Sequence, residues 1–97
     1  MNRTSYVVDR YVIDTLMADL VGHDRRPSAF LVYLAILAAA ADGRAALSHA
    51  ELAERTGLSK RTAQLAVTAL RNRSLIAVMK RGPTDIPQYR PLSPWRR

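Results

Sequence analysis

The sequence predicts a mainly α-helical domain with three to four helices and a two- or three-stranded sheet. Apolar residues recur at three- and four-residue steps in several stretches between residues 11 and 72, which is the period of amphipathic helices. A short apolar run at 75–79 is followed by a turn-rich segment and a second extended stretch at 88–92, a pattern typical of a β-hairpin. The 97 residues suffice for one modest core, so we expect a single domain over 1–97.

The N-terminal part predicts one amphipathic helix. Residues 6–8 have the composition of a short edge strand. The helix is expected over about 11–21 and ends at Gly22. Its apolar positions are Val12, Ile13, Leu16, Met17 and Leu20.

A second, more apolar helix follows a polar connection. Pro27 suits its first turn, and Asp42-Gly43 ends it. The buried side is predicted to consist of Phe30, Leu31, Leu34, Leu37, Ala38 and Ala41. The apolar run at 29–41 is shorter than the roughly 18 residues of a membrane span, so we expect a core helix and no membrane insertion. Residues 44–47 can form a short strand.

Two short helical patterns meet at Gly57. Ser48 and Glu51 have the spacing of a capping box, in which each side chain satisfies a backbone N–H of the other residue. Leu52 follows on the buried face. Gly57 stands where a left-handed turn residue is favoured because it has no Cβ.

The second of these helices has one apolar and one polar side. Ser59 is a good N-cap for it. The apolar side carries Ala63, Ala66, Val67 and Leu70, and the opposite side carries Arg61, Gln64, Leu65, Thr68 and Asn72. No acidic residue occurs between Glu54 and Asp85. This polar side favours DNA binding over plain helix packing.

These residues resemble the helix-turn-helix of DNA-binding proteins, with Ala53 at the helix crossing, Gly57 in the turn and Leu58 just after it. With the hairpin that follows, residues 29–92 resemble a winged helix-turn-helix domain of small bacterial and phage-type transcriptional regulators. Ser74 departs from the pattern, since glycine is frequent there. The resemblance divides the chain into an N-terminal segment and helix (1–26), a winged-helix core (27–92) and a basic tail (93–97). Pro87 and Pro91 predict that the last strand lies at an edge of the sheet.

The resemblance implies sequence-specific binding of double-stranded DNA, with helix 59–73 in the major groove and wing 80–85 on the backbone or minor groove. The predicted DNA-binding residues are Ser59, Lys60, Arg61, Thr62, Gln64, Leu65, Thr68, Arg71, Arg73, Lys80 and Arg81. Arg61 matches guanine and Gln64 matches adenine bidentately. Leu65 fits either a thymine methyl contact or a packing or dimer contact. The hydroxyl and basic residues suit phosphates.

Charge is unevenly distributed along the chain. The net charge is +7, with −2 in residues 1–54 and +9 in residues 55–97. A basic half that contains the suspected motif is typical of a polyanion binder. A solvated basic surface without a partner is the alternative.

Other functions find less support in the sequence. There is no cysteine, and no nucleophile, base and orienting group occur together, so we expect no enzyme. His23 and His49 lie on different elements without further ligands, and we expect neither a metal nor a cofactor. A protein-interaction module on the same scaffold, a plasmid replication factor and a phage excision factor remain alternatives.

The remaining expectations concern location, assembly and the tail. No secretion signal is evident at the N-terminus, so a cytoplasmic, nucleoid-associated protein is expected. A homodimer on a two-fold DNA site is a reasonable assembly, with the first helix as its interface. Trp95 can pack onto the first helix, while Arg96 and Arg97 can extend the contact with the DNA backbone.

Overall fold

The computed structural model describes residues 4–96. Residues 10–23 are helical and include two π-helical turns, Val12–Leu16 and Asp19–His23. Three α-helices and three strands follow: α1 (Pro27–Ala39), β1 (Ala45–Ala46), α2 (His49–Thr56), α3 (Lys60–Asn72), β2 (Ile76–Met79) and β3 (Gln88–Pro91). Helices combined with a small antiparallel sheet confirm the predicted fold class.

Helix α1 lies at the centre of the hydrophobic core. It packs against α3, α2, β3 and the second π-helical turn. The side of α3 that faces the core carries four buried residues, Ala63, Ala66, Val67 and Leu70, as the sequence predicted. The small side chains of Ala63 and Ala66 let α3 approach α1 closely. The hydroxyl of Tyr33 in α1 donates to the carbonyl of Leu92 at 3.1 Å, which ties the helix to the end of β3.

The sheet has the order β1-β3-β2, and both pairs are antiparallel. The predicted hairpin is confirmed, but the prediction that its second strand lies at the edge was wrong. Pro91 pairs with Ile76 of β2, and its nitrogen points to the opposite side, toward β1. Strand β1 has only two residues, which pair with Tyr89 and Gln88. It has ended before it reaches Pro91, so the missing N–H costs no ladder hydrogen bond.

Two predictions for the N-terminal part were wrong. Residues 6–8 form no strand and have no strand partner within the described chain. Gly22 lies inside the helical stretch, which continues to His23. Burial there follows a narrow stripe of Val12, Leu16 and Leu20, while the predicted core residues Ile13 and Met17 are exposed. The stripe is narrow because the stretch contacts the rest of the molecule along one line.

The prediction for α1 was partly wrong. The helix ends at Ala39, before Asp42-Gly43, and Phe30 is buried as expected. Leu31 and Ala41 are exposed, whereas Leu34, Leu37 and Ala38 are half-buried. The residues that fill the core are instead Ala29, Val32, Tyr33 and Ile36, together with Phe30. Almost every position of α1 is apolar, so the sequence contained no polar side to orient it.

The C-terminal tail returns to the N-terminal helix. The ring of Trp95 stacks on Tyr11, with centroids 4.6 Å apart, and its indole N–H donates to Asp9 at 3.0 Å. Arg96 donates to both carboxylate oxygens of Asp9. Trp95 therefore packs on the first helix, one of the two roles considered for the tail. Arg96 is engaged within the molecule, and Arg97 lies outside the described residues.

Acidification is expected to release this tail. Hydrogen bonds from Arg96 and then Trp95 lower the pKa of Asp9 from 3.8 to about 2. Because the folded-state pKa is depressed, the stabilisation is present above the unfolded value and is lost as the pH falls toward 2. Trp95 is the single tryptophan, so its fluorescence reports the release.

The variant Asp9→Asn should therefore show the fluorescence of a released Trp95 at neutral pH. Asp14→Asn is the matched control, since Asp14 pairs with Arg10 on the surface and takes no part in the contacts of Trp95. An unchanged emission spectrum in Asp9→Asn would contradict the role given to this carboxylate.

Candidate nucleic-acid interface

Helix α2 begins with the predicted capping box. The hydroxyl of Ser48 accepts from the amide of Glu51, and the Glu51 carboxylate accepts from the amide of Ser48, both at 3.1 Å. Two amides that the first helical turn leaves unpaired are thereby satisfied. The start of α2 is defined by two residues three positions apart in sequence.

The turn after α2 directs the chain into α3. Gly57 adopts φ 76°, the left-handed conformation that the sequence predicted for it. The amides of Gly57 and Leu58 both donate to the carbonyl of Ala53, at 2.9 and 3.1 Å. Ser59 then caps α3 by accepting from the amide of Thr62 at 3.0 Å. The geometry from α2 to α3 is thus specified by backbone hydrogen bonds and two capping serines.

The outer side of α3 carries the polar residues predicted to contact DNA. Lys60, Arg61 and Thr68 are exposed, and Leu65 is 45% exposed. Because one helical side is buried against α1, these residues share the side that faces solvent. The hydroxyl of Ser59 is paired with that of Thr62 at 2.8 Å. Thr62 and Gln64 are half-buried at the edge of this surface.

Gln64 contacts a residue that the sequence did not connect with it. Its side-chain amide lies 3.2 Å from Nδ1 of His49, the first residue of α2. This contact restricts the Gln64 side chain before any base is bound. The two residues are fifteen positions apart in the sequence. The one sequence feature that placed His49 near the helix-turn-helix surface is its position directly after the Ser48 cap.

Positive charge converges on His49 from two elements. Burial lowers its pKa from 6.5, and Lys60 of α3 and Lys80, just after β2, lower it further. The charges at the start of α3 and at the base of the wing therefore both act on the start of α2. The unpaired amides of two helix N-termini add to the positive potential there.

The other predicted basic residues lie in different environments. Arg71 and Arg81 are exposed, and Arg81 enters a wing loop in which the amide of Asp85 donates to the carbonyl of Gly82 at 3.2 Å. Arg73 is engaged within the molecule: its guanidinium lies 3.2 Å from Asp24 and 3.9 Å from Asp19. Its charge is largely compensated.

Residues 4–96 contain no group of three or more His, Cys, Asp or Glu side chains placed to hold a metal ion. Over the same residues, no helix has the length and apolar character needed to cross a membrane.

Comparison with known proteins finds one family. Residues 26–76, more than half of the chain, match the family described as Helix-turn-helix domain. The match contains α1, α2, the Gly57 turn and α3, and reaches the first residue of β2. Neither a curated protein nor a solved structure matches the chain.

The left-handed turn is expected to limit stability. Gly57→Ala should lower the free energy of unfolding by about 1–2 kcal/mol, since a Cβ is disfavoured at this φ although no atom lies within 4 Å of it. Gly22→Ala is the matched control: its Cβ also meets nothing, but Gly22 is in a helical stretch, so alanine should stabilise by roughly 0.5–1 kcal/mol. Urea denaturation measures both. Equal effects of the two substitutions would refute the role of backbone strain.

The convergence on His49 can be measured directly. Lys60→Ala should raise the pKa of His49, because a neighbouring positive charge that disfavours its protonated form is removed. An NMR titration of the His49 ring protons checks this, with Arg10→Ala as a control on a distant surface. Because the folded-state pKa is lowered, the contribution of His49 to stability declines as the pH falls through 6.5. An unchanged pKa of His49 in Lys60→Ala would show that the charge of Lys60 does not act on His49.

Proposed function

The chain belongs to the helix-turn-helix domain family, and we propose that it binds double-stranded DNA sequence-specifically as a transcriptional regulator. Helix α3 enters the major groove, and the wing of residues 80–85 lies on the backbone or in the minor groove. As a regulator of transcription it is located with the nucleoid, and a homodimer would place two α3 helices on a two-fold site.

One observation carries this proposal: the exposed side of α3 presents Lys60, Arg61 and Thr68 to solvent and contains no acidic residue. Such a surface attracts a polyanion, while the helix has the dimensions of the major groove. The scaffold alone would serve a protein-interaction module equally well. The charge of this side is what favours DNA.

The base-reading roles follow from side-chain chemistry and exposure. Arg61 can donate two hydrogen bonds to O6 and N7 of guanine, and Gln64, oriented by His49, can pair with adenine. Thr68 contacts either base edges or the sugar–phosphate. Leu65 is 45% exposed on this side, so a thymine methyl group can contact it.

The remaining residues hold the duplex in register. Ser59 and Thr62 lie at the N-terminus of α3, where hydroxyls and amides suit a phosphate. Lys60, Lys80, Arg81 and Arg71 supply charge around it. Arg73 contributes least, because Asp24 and Asp19 already neutralise it.

Selection of bound sequences from a random oligonucleotide pool tests the proposal. We expect a short consensus, and binding to it should weaken steeply as salt rises because counterions are released. Recovery of no consensus, together with the same affinity for every duplex, would refute sequence-specific readout. Failure to bind any duplex at low salt would favour the protein-interaction module.

Arg61→Ala should lower affinity for the selected site by about 1–3 kcal/mol and relax the preference at one base pair, because a bidentate contact is lost. Fluorescence anisotropy against the consensus and its single-base variants measures both effects. Arg10→Ala is the control, since Arg10 is exposed on the N-terminal helix. A uniform loss over all sequences would reassign Arg61 to a phosphate.

Lys80→Ala should weaken binding to all sequences alike and reduce the salt slope by about one, as expected for the loss of one phosphate contact. The same anisotropy titrations, repeated at several salt concentrations, check this. A loss confined to particular sequences would contradict the phosphate role.

A further inference from the structure

An apolar groove of about 900 Å³ lies away from the proposed DNA surface. Its walls are segment 5–8, one side of α1 and the end of α2. Leu31, Leu34 and Ala38 form the α1 wall, and Tyr6 and Val8 stand on the other side. None of these residues has a role in the proposed recognition of DNA.

The α1 wall is the side of that helix opposite the core. Successive residues of an α-helix are rotated by about 100°, so Leu31, Leu34 and Ala38 point away from the buried Tyr33 and Ile36. An α-helix that is apolar on every side is normally covered on every side. In the single chain, the core covers only one side of α1, and Leu31 remains 43% exposed.

Segment 5–8 is apolar and open as well. Tyr6 is 71% and Val7 is 99% exposed, an unusual position for two large apolar side chains next to each other. Within the described chain, the amides of residues 5–8 make no backbone hydrogen bond. Their composition predicted an edge strand, and what the single chain lacks is a second strand to pair with.

The charges around the groove indicate what covers it. Its charged lining residues are Asp42 and Arg55, one of each sign. The basic residues of α3 and the wing lie elsewhere, so two chains that met through this groove would keep those residues apart. A surface with one acid and one base is complementary to a copy of itself across a two-fold axis.

We propose that the groove and segment 5–8 form a homodimer interface, on which a second copy of this chain packs with the same surface. Leu31, Leu34 and Val7 of each chain are then buried, and each Arg55 approaches an Asp42 across the axis. This assignment rests on the homodimer of the proposed function and not on the recognition of DNA. It also replaces the first helix, which the sequence suggested as the interface.

The mass of the full chain in solution, measured without DNA by analytical ultracentrifugation over a wide concentration range, tests the interface. The wild type should reach twice the monomer mass of 10.8 kDa. Leu31→Glu and Val7→Glu should each raise the dimer Kd by roughly a hundredfold, since symmetry places each buried charge in the interface twice. Val21→Glu is the matched control, because Val21 is 40% exposed outside the groove.

Circular dichroism shows whether each variant is folded, and the fully exposed Val7 gives a result even if Leu31→Glu unfolds. A monomeric wild type, as expected if a small apolar ligand occupies the groove, would overturn the proposal. So would variants that stay dimeric, or a Val21→Glu variant that dissociates equally. Binding to a single half-site, measured separately, distinguishes a failed interface from a failed DNA surface.

Discussion

The packing of α3 against α1 is the constraint on which the proposed function depends. Ala63 and Leu70 are fully buried, with Ala66 and Val67 nearly so. Side chains on opposite sides of a helix point in opposite directions. Burying this side of α3 against α1 therefore leaves the other side facing solvent. A bulkier residue at Ala63 would push α3 away from α1 and tilt the outer residues with it, since close-packed interiors do not absorb added volume.

Sequence reasoning succeeded where structure is determined by residues three or four positions apart. The capping box of Ser48 and Glu51, the left-handed Gly57 and the Ser59 cap all follow from local hydrogen bonding and backbone sterics. One side of α3 is apolar and the other is mostly polar, so its buried residues could be predicted from the sequence. Backbone sterics also explain why glycine is frequent at the position of Ser74. The φ of Ser74 is 56°, a left-handed conformation that glycine adopts without a Cβ clash.

Sequence reasoning failed where a helix had no polar side, and where contacting residues are far apart in the sequence. An all-apolar α1 has no pattern that selects its buried side, and one apolar side of it stays open in the single chain. The central place of β3 depends on β1, which lies within the short strand predicted over 44–47; the sequence did not show that this strand pairs with β3. The contacts of Gln64 with His49 and of Arg73 with Asp24 join residues far apart in the chain. Only the fold brings them together.

These distant contacts also change how the charge of the chain is interpreted. The acidic residues of the first half act as internal partners of the basic second half: Asp9 binds Arg96, while Asp24 with Asp19 binds Arg73. The Asp9–Arg96 pair joins the N-terminal segment to the C-terminal tail, whereas the Asp24–Arg73 pair lies at the C-terminal end of α3, beside Leu65 and Thr68. No ion pair in the described residues involves Lys60, Arg61, Lys80 or Arg81. Folding therefore compensates Arg73 and Arg96 with acidic residues of the first half, while the positive charge at the start of α3 and in the wing stays available to a polyanion.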